Sequence, residues 1–335
     1  MKALTFHQYG LSDVLKLEEV DKPIPKDNEV LVKVKAASIN DWDWAMLQGI
    51  PFINRLQTGL RKPTKINILG CDIAGQVEAV GKNATQFKVD DEVYGDLSSA
   101  FSGGWGGFAE YVCAGESALT LKPACLTFEQ AAAVPQAAML ALQGLLKGKI
   151  QQEKTKPTQK VLINGASGGV GSFAVPMAKS FGAEVTGVCS TKKMDFVRSL
   201  GADYMIDYTK EDFTKNNQLY DLILDVKGFH SILDYKHALS RKGRYVMLGG
   251  ADALATKIIF FGRLISMMGS KKMGLLFLKA NKGLDIMKSL FESGKITPII
   301  DKSYPLSDGA EAMKYYGEGH AKGKVIITPE SNNEV

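Results

Sequence analysis

Apolar and polar residues follow different patterns in the two halves of the chain. Residues 30–36 alternate in the manner of a half-buried strand. Further short strands bounded by turn residues are predicted at 75–81, 92–95 and 107–112, and helical structure at 128–149. The tail returns to strand character at 303–306 and 324–327. The first part of the chain is therefore predicted to be mostly β, with the tail available to complete it.

From about residue 160 onward, apolar strand-like runs alternate with helical segments. Strands are predicted at 160–164, 184–189, 204–206, 221–225 and 244–248. Helices are predicted at 170–182, 191–201, 230–240 and 283–293. This alternation predicts an α/β fold with a doubly wound parallel sheet.

A glycine-rich turn joins the strand at 160–164 to the helix that follows it. A second strand at 184–189 gives the strand–helix–strand spacing that a dinucleotide-binding turn requires. Glycines let the backbone approach a diphosphate, and free N–H groups at the helix start point at the anion. The turn residues predicted to bind a dinucleotide are Gly165, Ser167, Gly168, Gly169, Val170 and Gly171. The alternative is a glycine-rich turn without a ligand.

Composition and charge narrow the class of protein. A length of 335 residues suits two domains. The net charge of +5 comes without a long basic run, so a nucleic-acid partner is not expected. The four cysteines are scattered and none forms a CxxC pair, which argues against a disulfide framework or a zinc knuckle. Without a long apolar stretch, a membrane span is not expected and the predicted location is cytoplasmic.

Three motifs together resemble a known family. They are the segment 70–77 (GCDIAGQV) followed by Val80-Gly81, the glycine-rich turn, and the segment 200–203 (LGAD) followed by 206–208 (IDY). The chain resembles the medium-chain dehydrogenase/reductase superfamily, in its zinc-independent quinone oxidoreductase branch. The resemblance covers nearly the whole chain. It implies a partly barrel-like (GroES-like) β domain at 1–125 plus 300–335, an inserted Rossmann domain at 126–299, and a possible homodimer.

The resemblance also bears on metal binding. Zinc-bearing relatives have Gly-His-Glu where this chain reads Gly70-Cys71-Asp72. Their other ligand positions would fall near residues 38–41, which read Ser-Ile-Asn-Asp, and near Gln136. Catalytic zinc takes about three protein ligands of suitable type. We therefore expect no metal, and interpret Cys71 as a small packed apolar residue.

The end of the second Rossmann strand indicates which nicotinamide cofactor is used. NAD sites usually carry Asp or Glu there, whereas this chain reads Ser190-Thr191-Lys192-Lys193. In the resembled family, a lysine after this strand and a later tyrosine hold the 2′-phosphate of the cofactor. The resemblance thus assigns Ser190, Lys193 and Tyr208 to this role and predicts NADPH. The alternative for the lysines is a solvated helix start.

Four further residues are assigned through the resemblance. Asn40 is expected to orient substrate or nicotinamide through its amide; the alternative is a turn residue that caps the next helix. Gly249 and Gly250 match a loop that faces the nicotinamide, and Lys324 matches a strand that lines the cofactor cleft. The apolar segment 257–268 is expected to pack between domains or subunits, with lipid contact as the alternative.

The implied function is NADPH-dependent, zinc-independent reduction of a quinone or of an α,β-unsaturated carbonyl compound. The substrate class comes from the resemblance and not from composition. Two alternatives stay open: a reductase specific for enones, and a non-catalytic NADPH-binding protein.

Overall fold

A computed structural model describes residues 1–98, 104–150, 158–250 and 252–329. The chain divides into two compact units, one of residues 1–136, 279–292 and 298–335, the other of 137–278 and 293–297. Relative to the predicted domain limits, residues 126–136, 279–292 and 298–299 group with the first unit. The last six residues of the predicted first domain, 330–335, lie outside the described residues.

Strands and helices are numbered in chain order. The strands are β1 (Lys2–Phe6), β2 (Leu15–Glu19), β3 (Glu29–Ser38), β4 (Asp72–Val80), β5 (Glu92–Asp96), β6 (Tyr111–Gly115), β7 (Thr120–Leu121), β8 (Lys160–Asn164), β9 (Glu184–Cys189), β10 (Tyr204–Asp207), β11 (Tyr220–Asp225), β12 (Leu239–Met247), β13 (Lys272–Leu275), β14 (Ile300–Pro305) and β15 (Lys324–Thr328). The α-helices are α1 (Asp41–Gln48), α2 (Arg55–Thr58), α3 (Phe128–Ala132), α4 (Pro135–Lys147), α5 (Gly169–Ser180), α6 (Met194–Ser199), α7 (Ile232–Ala238), α8 (Asp252–Lys257), α9 (Arg263–Met268), α10 (Leu284–Glu292) and α11 (Gly309–Gly317). None of these described helices is long and apolar enough to cross a membrane.

The first unit is built on a mainly antiparallel sheet. Among the described residues its strand order is β14-β15-β3-β4-β5-β7, with β6 also paired to β3. Strand β3 is buried along most of its length because it lies between neighbours and carries apolar side chains such as Val30, Val32 and Val34. The C-terminal strand β15 pairs with β3, so the chain tail completes this sheet, as the sequence predicts.

The second unit is a parallel sheet of strand order β10-β9-β8-β11-β12-β13 in its described part. This order corresponds to the 3-2-1-4-5-6 arrangement of Rossmann folds. The order reverses between β8 and β11, whose carboxyl ends are Asn164 and Asp225. Ligands of such sheets bind outside the carboxyl ends of the strands at this point. The predicted fold class, a doubly wound parallel sheet joined to a GroES-like β domain, is confirmed.

Strands β8 and β9 have the predicted bounds, and other elements differ. Strand β12 begins at Leu239 instead of 244, so the predicted helix at 230–240 ends at Ala238. The sequence did not indicate the edge strand β13, because its four residues are too short for a periodic pattern. The apolar segment 257–268 forms helical turns in which Phe260 and Phe261 are exposed; what they contact stays a prediction.

Candidate functional site

The glycine-rich turn leads directly from β8 into α5. Gly165 has a φ of +89°, which favours glycine, and the N–H groups of Gly165 and Ala166 donate to Val188 O at 3.2 and 3.1 Å. Gly168 then caps α5, which is twelve residues long. The turn is therefore tied to β9, and the N-terminus of α5 lies at the carboxyl end of the sheet.

Two glycines of this turn have different roles. A Cβ at Gly171 would lie 2.3 Å from Gly165 O and 2.5 Å from Ala166, so this glycine lets the helix pack against the turn. A Cβ at Gly168 would meet nothing nearer than Gly165 O at 3.7 Å. Gly168 thus leaves an open surface beside the helix N-terminus, which is the space a diphosphate needs for close approach to backbone N–H groups. The turn fits a dinucleotide.

A buried carboxylate fixes the loop beside this turn. Asp225 Oδ1 accepts hydrogen bonds from Asn164 Nδ2 (2.8 Å), Lys227 N (3.1 Å) and Gly228 N (2.9 Å). Asp225 Oδ2 accepts one from the Tyr245 hydroxyl at 2.8 Å. Charge-assisted hydrogen bonds of this kind hold a backbone in one geometry. The loop that follows β11 is therefore rigidly joined to the end of β8.

The predicted glycines after β12 approach the same loop. Gly249 N lies 3.4 Å from Asp225 O. Gly250 has a φ of +114°, and a Cβ there would lie 2.5 Å from Lys227 O. A Cβ at Gly165 would in turn contact the side chains of Val226 and Lys227. The predicted residues of the glycine turn and those at 249–250 thus converge on one loop.

The predicted 2′-phosphate residues lie at the ends of neighbouring strands. Cys189 and Asp207 are register partners in β9 and β10, so Ser190 and Tyr208, which follow them, are brought together. Tyr208 N donates to Cys189 O at 3.2 Å, and Lys193 N donates to Ser190 O at 2.9 Å. Tyr208 is 63% exposed, so its ring is accessible to a ligand.

One carboxylate, which the sequence pattern does not single out, lies beside this group. Asp207 ends β10 beside this group, but its carboxylate already accepts hydrogen bonds from the Thr191 hydroxyl and from Thr209 N (3.0 Å) and Oγ1 (2.7 Å). These hydrogen bonds, that of Thr191 first, lower the pKa of Asp207 to about 2. The Lys210 ammonium is 3.6 Å away. The Asp207 carboxylate is therefore ionised at neutral pH, and the Lys210 ammonium is the cation that partly balances its charge.

The first unit contains a separate cluster of buried polar side chains. Ser38 of β3 is the register partner of Asp72 of β4, which is in turn the partner of Asp96 of β5. The three side chains therefore lie on one face of the sheet. Ile326 of β15 is the partner of Ser38, and Lys324, two residues earlier, lies on the same side of its strand. The strand register thus gathers an ammonium and two carboxylates, all of them buried.

Asn40 lies at the centre of this cluster and caps α1. Its backbone N–H donates to Asp43 Oδ2 at 2.8 Å, so the main chain of Asn40 forms part of the helix cap. Its side chain points elsewhere: Oδ1 accepts from Lys324 Nζ at 2.5 Å, and Nδ2 lies 3.4 Å from Ser38 O and 3.5 Å from Cys71 Sγ. The two predicted residues Asn40 and Lys324 are therefore direct partners.

Asp43 and Cys71 complete the cluster. Asp43 Oδ1 accepts from Gly70 N at 2.9 Å, and burial raises the pKa of Asp43 to about 7. Burial also raises the pKa of the Cys71 thiol, whose sulfur lies 3.7 Å from Gln136 Nε2. The residues that align with zinc-ligand positions thus lie together. The sequence does not indicate that Asp96 belongs to this cluster, because only the strand register brings it beside Asp72.

The cluster can be tested as a metal site. Cys71, Asp72 and Asp96 each offer a ligand atom, and these atoms lie within 4.8 Å of one another. Ligands of a tetrahedral zinc lie about 3.3–3.8 Å apart, so the three would have to close in. Asn40 and Gln136 are amides, and the Lys324 ammonium is bonded to Asn40. The Lys324 ammonium would repel a zinc ion bound beside it, so these side chains, as they are arranged, fit zinc poorly.

Comparisons with known families agree with both units. Residues 26–124 match the family described as the alcohol dehydrogenase GroES-like domain, and residues 200–327 match the family described as zinc-binding dehydrogenase. Among solved structures, a quinone oxidoreductase from Coxiella burnetii has a TM-score of 0.86 and 29% identity, over 98% of this chain and 99% of that one.

Curated relatives are similar over nearly the full length of the chain. The chloroplast envelope quinone oxidoreductase homolog of Arabidopsis thaliana is 32% identical over 98% of both chains. The NADPH-dependent alkenal/one oxidoreductase of the same plant is 34% identical, over 98% of this chain and 80% of that protein. The chain therefore belongs to the medium-chain dehydrogenase/reductase superfamily, in its quinone oxidoreductase branch.

Proposed function

We propose that the chain is an NADPH-dependent, zinc-independent reductase that transfers a hydride to a quinone or to an α,β-unsaturated carbonyl compound. The observation that carries this proposal is the open backbone surface at Gly168, at the N-terminus of α5 and at the switch point of the parallel sheet. When bound there, NADPH would supply the hydride. The similarity to relatives named for quinone and alkenal/one oxidation–reduction supports the substrate class.

The preference for NADPH is supported by the group at the ends of β9 and β10. Ser190, Lys193 and Tyr208 offer hydroxyls and an ammonium, which suit a dianionic phosphate. The carboxylate of Asp207, which would repel that phosphate, is held by hydrogen bonds from neighbouring hydroxyl groups. We therefore propose that these three residues hold the 2′-phosphate of the cofactor.

Asn40 is proposed to polarise the carbonyl group of the acceptor. Its Nδ2 lies 3.4 Å from Ser38 O and 3.5 Å from Cys71 Sγ, and a carbonyl oxygen at ordinary hydrogen-bond distance would be a better acceptor than either. Lys324 holds Oδ1, which fixes which end of the amide donates. We expect Asn40→Ala to lower kcat by about 10–100-fold, the scale of one lost hydrogen bond to a developing charge, while NADPH affinity changes little.

Zinc independence is proposed because the donor set contains amides and an ammonium. A cytoplasmic location is proposed on the sequence pattern alone, and a homodimer on the resemblance alone. Some relatives are named as chloroplastic or mitochondrial, so cell fractionation is the test of the location. Analytical ultracentrifugation tests whether the chain forms a dimer.

The experiment is steady-state oxidation of NADPH by the purified chain with a panel of quinones and enones, repeated with NADH and after chelation. Chelator-insensitive turnover that prefers NADPH is expected, and the best acceptor distinguishes a quinone reductase from an enone-specific one. Tight NADPH binding without turnover on any acceptor would instead support a non-catalytic NADPH-binding protein.

A further inference from the structure

The buried cluster of the first unit contains more acidic groups than cations. Asp43, Asp72, Asp96 and Cys71 are all fully buried, and Lys324 is 3% exposed. Among the described residues, Asp72 Oδ1 and Asp96 Oδ2 have no hydrogen-bond partner. Unpartnered carboxylate oxygens in a buried site are costly unless a cation compensates them.

Lys324 is positioned to be that cation. Its ammonium donates to Ile39 O at 3.1 Å and to Asn40 Oδ1, and Asn40 Nδ2 in turn contacts Cys71 Sγ. Burial lowers the pKa of Lys324, and the carboxylate of Asp72 acts in the opposite direction. Burial raises the pKa of Asp72, while the charge of Lys324 lowers it. The strand register places Lys324 on the same side of the sheet as Asp72 and Asp96, and Asn40 links its ammonium to Cys71, so the cation lies within the cluster.

We propose that the Lys324 ammonium is the resident counterion of this cluster and keeps divalent metal ions out. Removal of the ammonium would then turn Cys71, Asp72 and Asp96 into a site for a divalent transition-metal ion. The donors are of the types that cobalt and zinc accept, and two of their oxygens are already free of other partners. This inference concerns metal binding and not turnover, so its test is separate from that of the proposed reaction.

The experiment compares the wild-type chain with Lys324→Met, using Co²⁺ alone as the probe. Equilibrium dialysis measures the stoichiometry, and thiolate-to-cobalt charge-transfer absorption reports coordination by sulfur. We expect the variant to bind one Co²⁺ per chain at least ~100-fold more tightly than the wild type, because a like charge has been removed from the site. Adding Cys71→Ser to the variant should abolish the absorption.

The matched control is Lys122→Met, which removes another buried ammonium of the same unit, one that pairs with Glu92 at 3.0 Å. It should bind Co²⁺ no better than the wild type. Circular dichroism and thermal unfolding establish that each variant is folded, and Lys324→Gln replaces Lys324→Met if the latter is not. Stoichiometric Co²⁺ binding by the wild type, no binding by a folded Lys324 variant, or absorption that survives Cys71→Ser would each overturn the proposal.

Discussion

Substitutions of two glycines in the α5 turn should separate packing from ligand binding. At Gly171, an added Cβ lies 2.3 Å from Gly165 O, and this separation would have to open to at least 3.0 Å. The contact is with backbone, so relief requires a shift of the helix start. Overpacking of this kind costs about 1–3 kcal/mol, of which the better helix propensity of alanine returns up to about 1 kcal/mol. Gly171→Ala should therefore lower the free energy of unfolding.

At Gly168, the same methyl group meets only an ordinary contact at 3.7 Å, and the backbone φ of −86° suits any residue. The cost to stability should stay under about 1 kcal/mol, the scale of an unfavourable N-cap. The methyl group would instead occupy the space of the diphosphate. Loss of one charge-assisted hydrogen bond, about 1.5–3 kcal/mol, corresponds to roughly 10–100-fold weaker NADPH binding.

The assays are thermal unfolding of the cofactor-free protein and titration of NADPH by calorimetry. Gly171→Ala should lower Tm by several degrees, whereas Gly168→Ala should keep the wild-type Tm and lose NADPH affinity. Wild-type affinity in Gly168→Ala would refute the idea that the open surface at this glycine receives the diphosphate.

Three further predictions concern the second unit. Lys193→Ala combined with Tyr208→Phe should weaken NADPH binding about 10–100-fold while NADH binding changes little; equal losses in fluorescence titration would contradict the assignment of the 2′-phosphate site. Tyr245→Phe leaves Asp225 Oδ2 without its 2.8 Å donor, so urea unfolding should detect a loss of about 1–3 kcal/mol. Burial raises the pKa of Asp203, but its ammonium partner and a backbone N–H outweigh burial and hold this pKa below its ordinary value of 3.8. The stabilisation of the fold by this ion pair is therefore present above pH 3.8 and is lost as the pH falls further. Asp203→Asn should lower the free energy of unfolding by up to about 1 kcal/mol at pH 7 and by little at acid pH. An equal loss at both pH values would count against the pairing.

The Rossmann strands could be predicted because a parallel sheet is buried on both faces. Strand β8 contains the apolar run Val161-Leu162-Ile163, and β9 is rich in valine and bounded by polar turns, so both patterns are visible in the sequence. Strand β12 was predicted too short because its first residues include Lys242 and Gly243, which do not read as a buried strand. Strand β13 is a four-residue edge whose conformation depends on its neighbour.

The two candidate sites differ in how far sequence reasoning could reach. The residues of the glycine turn are contiguous, so the spacing of the glycines in the sequence predicts the geometry of the turn. The buried cluster is assembled from β15, β3, β4 and β5 by register, and no local pattern connects Lys324 with Asn40 or Asp96. Through the resemblance, Asn40, Cys71 and Gln136 align with the zinc-ligand positions of zinc-bearing relatives. In the structure, Asn40 Nδ2 and Gln136 Nε2 lie 3.5 and 3.7 Å from Cys71 Sγ.

Hydride transfer is tested most directly by following deuterium from the C4 position of labelled NADPH to an enone acceptor. The purified chain is mixed with labelled NADPH and an enone, and the reduced product is examined by mass spectrometry and NMR. The account predicts consumption of NADPH and deuterium on the β-carbon of the product, with no effect of a chelator. A reduced product without deuterium when both C4 hydrogens of NADPH are labelled, or NADPH that is bound but not consumed with any acceptor, would contradict it.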